Sequence, residues 1–271
     1  MRDSQYQALP RPSNGLSHGY GPQVRLLSYP YAMSMLNRLS APETVQPEVN
    51  RLVGALYSML LGEVANTILQ TKQSTCPTRM IEFTERGVYT GEQLDRDQRV
   101  VVVDVARAGI IPSHHFYEGL HHAINPESLR QDHVVASRTT DADGRVTGVT
   151  LDGSKIGGPI DNATVIFPDP MGATGSSIAG VIDHYNTTLG GQARALVAVH
   201  LIVTPEYIKR MTTQFPELHI FAIRLDRGLS NPDTLSTIPG TDIDRERGLT
   251  DNQYIVPGAG GVGEVLNNAW I

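Results

Sequence analysis

The chain is poor in everything that would mark export, disulfide stapling or nucleic-acid binding. Of its 271 residues one is cysteine, Cys76, which excludes an internal disulfide and a cysteine-rich zinc site. Cys76 stands in the polar stretch Ser74-Thr75-Cys76-Pro77, where a connector carrying an inert thiol is expected rather than a nucleophile. Basic residues are in deficit: 22 Lys and Arg against 28 Asp and Glu leave a formal charge of -6, with no electrostatic footprint for nucleic acid. No apolar run approaches the roughly 18 residues that suggest a membrane span, and residues 1–15 hold no apolar signal-peptide core. Neither membrane insertion nor export is expected, and a cytoplasmic location follows. Hydrophobic residues at 40% and charged residues at 18% suit a soluble globular chain, long enough for one α/β domain with additions.

Periodicity supplies the outline. Residues 1–24, rich in Ser, Gly, Pro and Gln, predict a disordered or extended segment ahead of a single domain over 25–271. Val45, Val49, Leu52, Val53, Leu56, Leu60, Val64 and Ile68 recur at three- and four-residue steps and predict a long amphipathic helix over 44–69. Pro47 is acceptable in its first turn. Residues 79–99 alternate apolar and polar around Arg86-Gly87 and Tyr89-Thr90-Gly91, which predicts a β-arm suited to a contact between two copies of the chain. Beyond it, short β-branched runs at 99–105, 133–136, 163–167, 195–203 and 218–223 alternate with helical stretches at 113–123, 175–185 and 205–215. The class is α/β, with a mostly parallel sheet flanked by helices. Ligands of such sheets bind beyond the carboxyl ends of the strands, where Arg107, Arg138 and Asp169 fall. Residues 139–162, rich in Gly, Asp and Thr, predict a flexible lid or a hairpin, and 231–251 form a polar insertion.

One run carries chemistry by itself. Val165-Ile166-Phe167-Pro168-Asp169-Pro170-Met171-Gly172-Ala173-Thr174-Gly175-Ser176-Ser177 is an apolar strand, an acid, and small hydroxyl and glycine residues that open a helix. Gly175 and its neighbours allow backbone N–H groups to approach an anion, the hydroxyls of Thr174, Ser176 and Ser177 add donors, and the helix presents its positive end. The run lacks the G-x-x-x-x-G-K-[ST] pattern and holds no lysine, so one phosphate beside a sugar fits better than ATP. An ordinary strand-to-helix turn, in which small residues merely ease packing, remains the alternative. Gly258-Ala259-Gly260-Gly261-Val262-Gly263 matches G-x-G-x-x-G, yet eight residues follow Gly263, too few for the helix, second strand and ribose-binding acid of a dinucleotide site. His114, His115, His121 and His122 share one expected helix, where a seven-residue step of about 10 Å is too long for two ligands of one ion, and an exposed polar face is the reading.

Taken together these residues carry a resemblance. The 169–177 loop is similar to the phosphoribosyl diphosphate (PRPP) motif of uracil phosphoribosyltransferases, and four further segments agree in order: Ala106-Arg107-Ala108-Gly109, Val203-Thr204-Pro205-Glu206, Leu225-Asp226-Arg227-Gly228-Leu229 and Tyr254-Ile255-Val256-Pro257-Gly258. The resemblance implies a type I phosphoribosyltransferase fold with a β-arm and a C-terminal hood. It also implies magnesium-PRPP as donor, uracil as acceptor, UMP and pyrophosphate as products in pyrimidine salvage, and a homodimer or higher homo-oligomer. Ala173, Thr174, Gly175, Ser176 and Ser177 would hold the 5′-phosphate, and Asp169 would serve the ribose hydroxyls or help place magnesium. Arg107 and Arg138 would hold pyrophosphate, each guanidinium being permanently charged and able to grip two oxygens, with a surface salt bridge as the alternative for each. Arg107 and Asp169 are the expected catalytic residues. Ile255 and Gly260 would contact the base, with Tyr254 and Gly261 beside it and the ribose. Where the family reads Pro-Gly-Leu-Gly-Asp-Ala-Gly-Asp-Arg, this chain has Gly261 in place of the first Asp, Glu264 in place of the second and Val265 in place of the Arg. The acids that usually follow the second arginine are displaced to Asp141 and Asp143. A different acceptor, or a non-catalytic sensor of PRPP or nucleotide on the same fold, are the other readings.

Overall fold

The structure is a computed structural model that describes residues 6, 11, 15–140 and 146–269, the side chains of 137–140 and 146–149 excepted. Its strands in chain order are β1 (Val24–Leu26), β2 (Thr71–Pro77), β3 (Val88–Leu94), β4 (Val100–Ala106), β5 (Leu129–Thr140), β6 (Val146–Lys155), β7 (Thr164–Pro168), β8 (Met171–Gly172), β9 (Ala195–Val203) and β10 (Leu218–Leu225). The helices are α1 (Pro30–Leu39), α2 (Glu48–Ile68), α3 (Ile110–Leu120), α4 (Ser176–Thr188), α5 (Pro205–Gln214), α6 (Pro232–Leu235) and α7 (Val262–Asn267). Among the described residues the main sheet runs β1-β10-β9-β7-β4-β5-β6, with β8 on the end of β9. All its pairings are parallel except β5 with β6.

The order follows from composition. Val100-Val101-Val102-Val103 is apolar on both faces, as an interior parallel strand must be, and its side chains divide between two apolar layers. Val101, Val103 and Val105 pack with Ile178, Ile182 and Tyr185 of α4 and Tyr207, Ile208 and Met211 of α5. Val100 and Val102 pack with α1, with Val53, Leu56 and Leu60 of α2, and with Phe116 and Leu120 of α3. The mostly parallel, helix-covered sheet expected from the sequence is therefore present, and its carboxyl ends gather the loops after β4, β7, β9 and β10.

Three expectations change. The β-arm starts earlier than 79–99: its strands are β2 and β3, with a 3₁₀ turn at Arg79–Glu82 between them. β2 reads Thr-Lys-Gln-Ser-Thr-Cys-Pro with every residue exposed or half-buried, so a ribbon wet on both faces left no alternation to detect. Cys76 thus lies on β2, its thiol beside Gln93, rather than in a connector. Second, 139–162 takes the hairpin option, β5 and β6 pairing from His133↔Lys155 to Thr140↔Val146; Asp141 and Asp143 lie outside the described residues. Third, the described part of 1–24 is tied to the body: Leu16 N–H donates to Leu26 O at 2.7 Å, Gly19 N–H to Pro239 O at 2.7 Å, and buried Tyr20 donates its hydroxyl to Glu246.

Glu246 organises the polar insertion. It is 1% exposed, and its Oε1 accepts from Arg227 Nη1 at 2.8 Å and from Gly240 N at 2.9 Å. Arg227 spends its other donors on the carbonyls of Thr234, Leu235 and Thr237. Removing one partner of a buried pair strands the other's charge, so Glu246→Ala should lower the unfolding free energy by about 3–5 kcal/mol in a urea titration. A loss below about 1 kcal/mol, the worth of a solvated pair, would contradict this assignment.

Candidate active site

The loop after β7 is built on a buried polar foundation. Asp169 N–H donates to Val199 O at 3.0 Å, and its Oδ1 accepts from Met171 N at 3.0 Å, a local turn that starts β8. Thr204 caps α5, its Oγ1 accepting from Tyr207 N at 3.0 Å, while the same hydroxyl donates to Ala173 O at 2.7 Å. With that carbonyl tied back, the loop turns at Gly175, whose φ of +79° is left-handed and suits glycine. Tyr207 and Met211 form the floor: a Cβ at Gly172 would stand 3.2 Å from Tyr207 Cγ, and one at Gly175 would stand 2.8 Å from Met211 Sδ. Thr174 Oγ1 and Ser176 Oγ are 3.1 Å apart, and Gly175 is the N-cap of α4. Ala173 to Ser177 therefore lie together at the N-terminus of α4.

Arg107 follows β4, whose Ala106–Arg107 peptide is cis. Gly109 lets the turn fold back tightly, since a Cβ there would meet Val105 O at 2.7 Å and Pro168 O at 3.2 Å. This brings the Arg107 turn against the start of the Asp169 loop. On its other side lies α7: a Cβ at Gly263 would touch Ala108 Cβ at 3.5 Å. The half-exposed Arg107 side chain faces Glu264 Oε1 at 3.7 Å and donates to Ala269 O at 3.3 Å. Arg138 is in β5, opposite Val149, and its side chain lies outside the described residues.

The C-terminal segment closes over the same end of the sheet. Buried Asp226 pairs with Arg224 through Nε at 2.6 Å and Nη2 at 2.8 Å, and accepts from Gly258 N at 2.8 Å. Arg224 also donates to Gly258 O at 3.0 Å, and Glu206 accepts from Gly248 N at 2.9 Å. These contacts hold 248–260 as a hood in which Gly258 and Gly260 take φ of +63° and +71°. Tyr254 is 61% exposed, Ile255 is half-buried, and Gly260 and Gly261 lead into the six-residue α7, which lies against the Arg107 turn rather than opening a dinucleotide-binding unit. A Cβ at Gly261 would fall 2.5 Å from Glu264 Oε2, so the longer acid at 264 occupies the space beside the missing side chain.

Two contributors were not foreseen. Arg210, on α5, donates from Nη1 to Ser176 Oγ at 2.7 Å. Fully buried His200, in the apolar run Ala-Leu-Val-Ala-Val-His-Leu-Ile-Val of β9, lies 2.6 Å from Asp169 O through Nδ1 and 2.6 Å from Tyr207 Oη through Nε2. A carbonyl only accepts, so Nδ1 carries the proton and Nε2 accepts from the tyrosine. Burial drives the ring's pKa down to about 4, against the opposing Asp169 carbonyl. A polar residue in the middle of an apolar strand was the available signal for His200, but its partners come from two other elements. Buried Asp104, held up in pKa by desolvation despite His133 Nδ1 at 2.8 Å, is a further polar group on β4. His114 and His115 lie on α3, and His121 and His122 follow its end; among the described residues no three His, Cys, Asp or Glu side chains are grouped to hold an ion. A cavity of about 750 Å3 opens away from this end, at the amino ends of β9 and β10, lined by residues including Gln192, Arg194, Glu217 and His219. No helix among the described residues is long and apolar enough to cross a membrane.

Comparison with known proteins bears on this constellation. The family profile for uracil phosphoribosyltransferase matches residues 26–245. The chain is 30% identical over 242 residues to the uracil phosphoribosyltransferase of Pyrobaculum islandicum, covering 89% of this chain and 97% of that one. It is 26% identical over 242 residues to that of Haloquadratum walsbyi, covering 88% and 93%. The solved structure of the AQ2163 protein from Aquifex aeolicus is similar in fold, with a TM-score of 0.68 at 22% identity over 92% of this chain and 99% of that one.

His200 makes the foundation sensitive to acid. The folded ring resists protonation down to about pH 4, whereas an unfolded histidine takes a proton near 6.5. The unfolded state therefore binds more protons between those values, and stability falls as pH drops from about 6.5 to about 4, by about 3 kcal/mol in full. Urea unfolding across that range should show the slope, flattened in His200→Leu. An equal slope in the variant would assign it to other groups.

Proposed function

The chain belongs to the uracil phosphoribosyltransferase family, and from that premise we propose that it transfers the 5-phosphoribosyl group of PRPP to uracil, giving UMP and pyrophosphate. In this step a bond forms between a ring nitrogen of uracil and ribose C1, the bond from C1 to the pyrophosphate oxygen breaks with its electron pair, and the nitrogen's proton passes to solvent. The observation that carries the reading is the 173–177 loop, turned at Gly175 on the N-terminus of α4, with Asp169 at the strand end beside it. A phosphate on that loop puts a ribose near Asp169.

Positive charge grows on the sugar and negative charge on the leaving group as the bond breaks, so a fixed cation facing pyrophosphate contributes most in the transition state. Arg107 suits that task, between the Asp169 loop and the hood; its contacts with Glu264 and Ala269 would be exchanged for pyrophosphate oxygens. Arg138, at the end of β5, is the second cation in this proposal. Magnesium would arrive with PRPP and neutralise its diphosphate. With no three-ligand cluster among the described residues, Asp169 fits an ion that keeps most of its ligands from phosphate and water. Backbone groups around Ile255 and Gly260 would read the flat base, with Tyr254 at the outer edge. Self-association through the β2–β3 ribbon is supported by Met80, Ile81 and Phe83, all exposed around its turn.

Gly261 and Val265 favour one second reading, transfer to a different acceptor. A panel of nucleobases with PRPP, read by pyrophosphate release and by nucleotide product, separates the two: uracil giving UMP is expected, and efficient use of another base without UMP overturns the acceptor. Arg107→Ala should lower kcat by about 10²–10³-fold while changing PRPP affinity less. Equal losses in kcat and binding would make Arg107 a ground-state binding residue, and no turnover by the wild type with any base would favour a sensor.

The loop departure generates its own expectation. Because Glu264 Oε2 lies 2.5 Å from a Cβ at 261, Gly261→Asp alone adds a second carboxylate to an occupied space and should not improve uracil use. Gly261→Asp combined with Glu264→Ala should improve it over Glu264→Ala alone. Improvement by the single substitution would show that Glu264 does not fill that space in the working enzyme.

A further inference from the structure

The phosphate loop has a charge deficit. Residues 169–177 hold no Lys or Arg and one acid, Asp169. A phosphate monoester carries about -1.5 to -2 charges at pH 7, whereas a helix N-terminus offers about +0.5. Backbone N–H groups and hydroxyls supply hydrogen bonds but no net charge, so a dianion seated there leaves most of its charge to solvent unless another element provides a cation.

α5 provides one. Tyr207 and Met211 face the loop from one side of this helix, four residues apart, and Arg210, three residues after Tyr207, emerges on the same side. Its Nη1 donates to Ser176 Oγ at 2.7 Å and reaches Thr174 O at 3.5 Å. Its neighbour Lys209 turns to Asp244. No acid forms an ion pair with Arg210 among the described residues, unlike Arg107, Arg130, Arg224 and Arg227, which face Glu264, Asp132, Asp226 and Glu246. The Thr204 cap and Tyr207 fix this helix to the loop, so the exposed guanidinium is held at the loop's rim by the same contacts that shape it.

We infer that Arg210 is a substrate-binding residue that pairs with the 5′-phosphate on the loop, supplying in trans from α5 the cation the loop lacks. The inference rests on reading 173–177 as the phosphate loop. The guanidinium donates to Ser176 Oγ at 2.7 Å; with phosphate bound, the anion bridges loop and arginine, and Ser176 donates to it. The assignment separates the two charged ends of PRPP: Arg210 serves the 5′-phosphate and Arg107 the pyrophosphate.

The test uses ribose 5-phosphate and inorganic pyrophosphate as separate probes, titrated calorimetrically into the full chain. Arg210→Gln should lose about tenfold or more in affinity for ribose 5-phosphate, the size of one charge-assisted contact, while pyrophosphate affinity and the thermal midpoint stay as in the wild type. Arg210→Lys should recover much of the loss as a point charge, and added salt should narrow the gap between wild type and Arg210→Gln. Gly175→Val, which obstructs the loop itself, should abolish ribose 5-phosphate binding. If Arg210→Gln binds ribose 5-phosphate as tightly as the wild type while Gly175→Val does not, the loop reading stands and the role of Arg210 is wrong. Equal weakening of both probes, or a lowered thermal midpoint, makes Arg210 a structural tie and also overturns it. A wild type that binds no ribose 5-phosphate overturns the loop and Arg210 together.

Discussion

The Thr204 hydroxyl does two jobs at one point: it caps α5 and it pulls the Ala173 carbonyl inward. An anion-binding loop must turn its N–H groups outward, and its carbonyls then need partners in the interior, because an unpaired buried carbonyl costs more than a hydrogen bond returns. Thr204 meets that need for Ala173 and His200 for Asp169, whose own N–H donates to Val199 O. The end of β9 is thus the base on which the loop after β7 rests. Once α5 is fixed there, Tyr207 and Met211 become its floor and Arg210 its rim.

The other half of the site depends on a different constraint, the closeness of three backbones. Gly109 brings the Arg107 turn against Pro168, and Gly263 brings α7 against Ala108. A side chain at Gly109 would meet Val105 O at 2.7 Å and push the Arg107 turn off the strand ends. The hood is held from below by Asp226 and Glu206, whose carboxylates accept from Gly258 and Gly248. Charge-assisted contacts of this kind fix geometry as well as contributing energy. From the polar insertion Glu246, paired with Arg227, accepts from Tyr20 of the amino-terminal segment.

Legibility followed locality. The 169–177 loop and the Arg107 turn are legible in the sequence because strand, acid, glycine and helix are contiguous, and the strands of the sheet are legible because β4, β7, β9 and β10 are runs of β-branched and apolar residues. β1 and α1 escape the sequence reading, the first because three residues carry no period and the second because its ten residues span fewer than three turns. The ribbon β2–β3 was misplaced because β2 is wet on both faces. What sequence did not show in the site arises from contacts between distant segments. His200 is separated from Asp169 by 31 residues and Arg210 from Ser176 by 34. The relation of Gly261 to Glu264 is short in sequence but depends on how the turn into α7 folds the longer acid back, which one-letter comparison with the family does not reveal.

The central claim is that the carboxyl end of the sheet binds both charged ends of one substrate, phosphate on the 173–177 loop and pyrophosphate on Arg107. The most direct measurement is a crystal structure of the wild-type protein grown with ribose 5-phosphate and pyrophosphate. The account predicts the monophosphate against the backbone N–H groups of Ala173 to Ser177, the ribose hydroxyls facing Asp169, and pyrophosphate within hydrogen-bond distance of Arg107. Ligands found instead in the cavity beside Arg194 and His219, with the 173–177 loop empty, would contradict it.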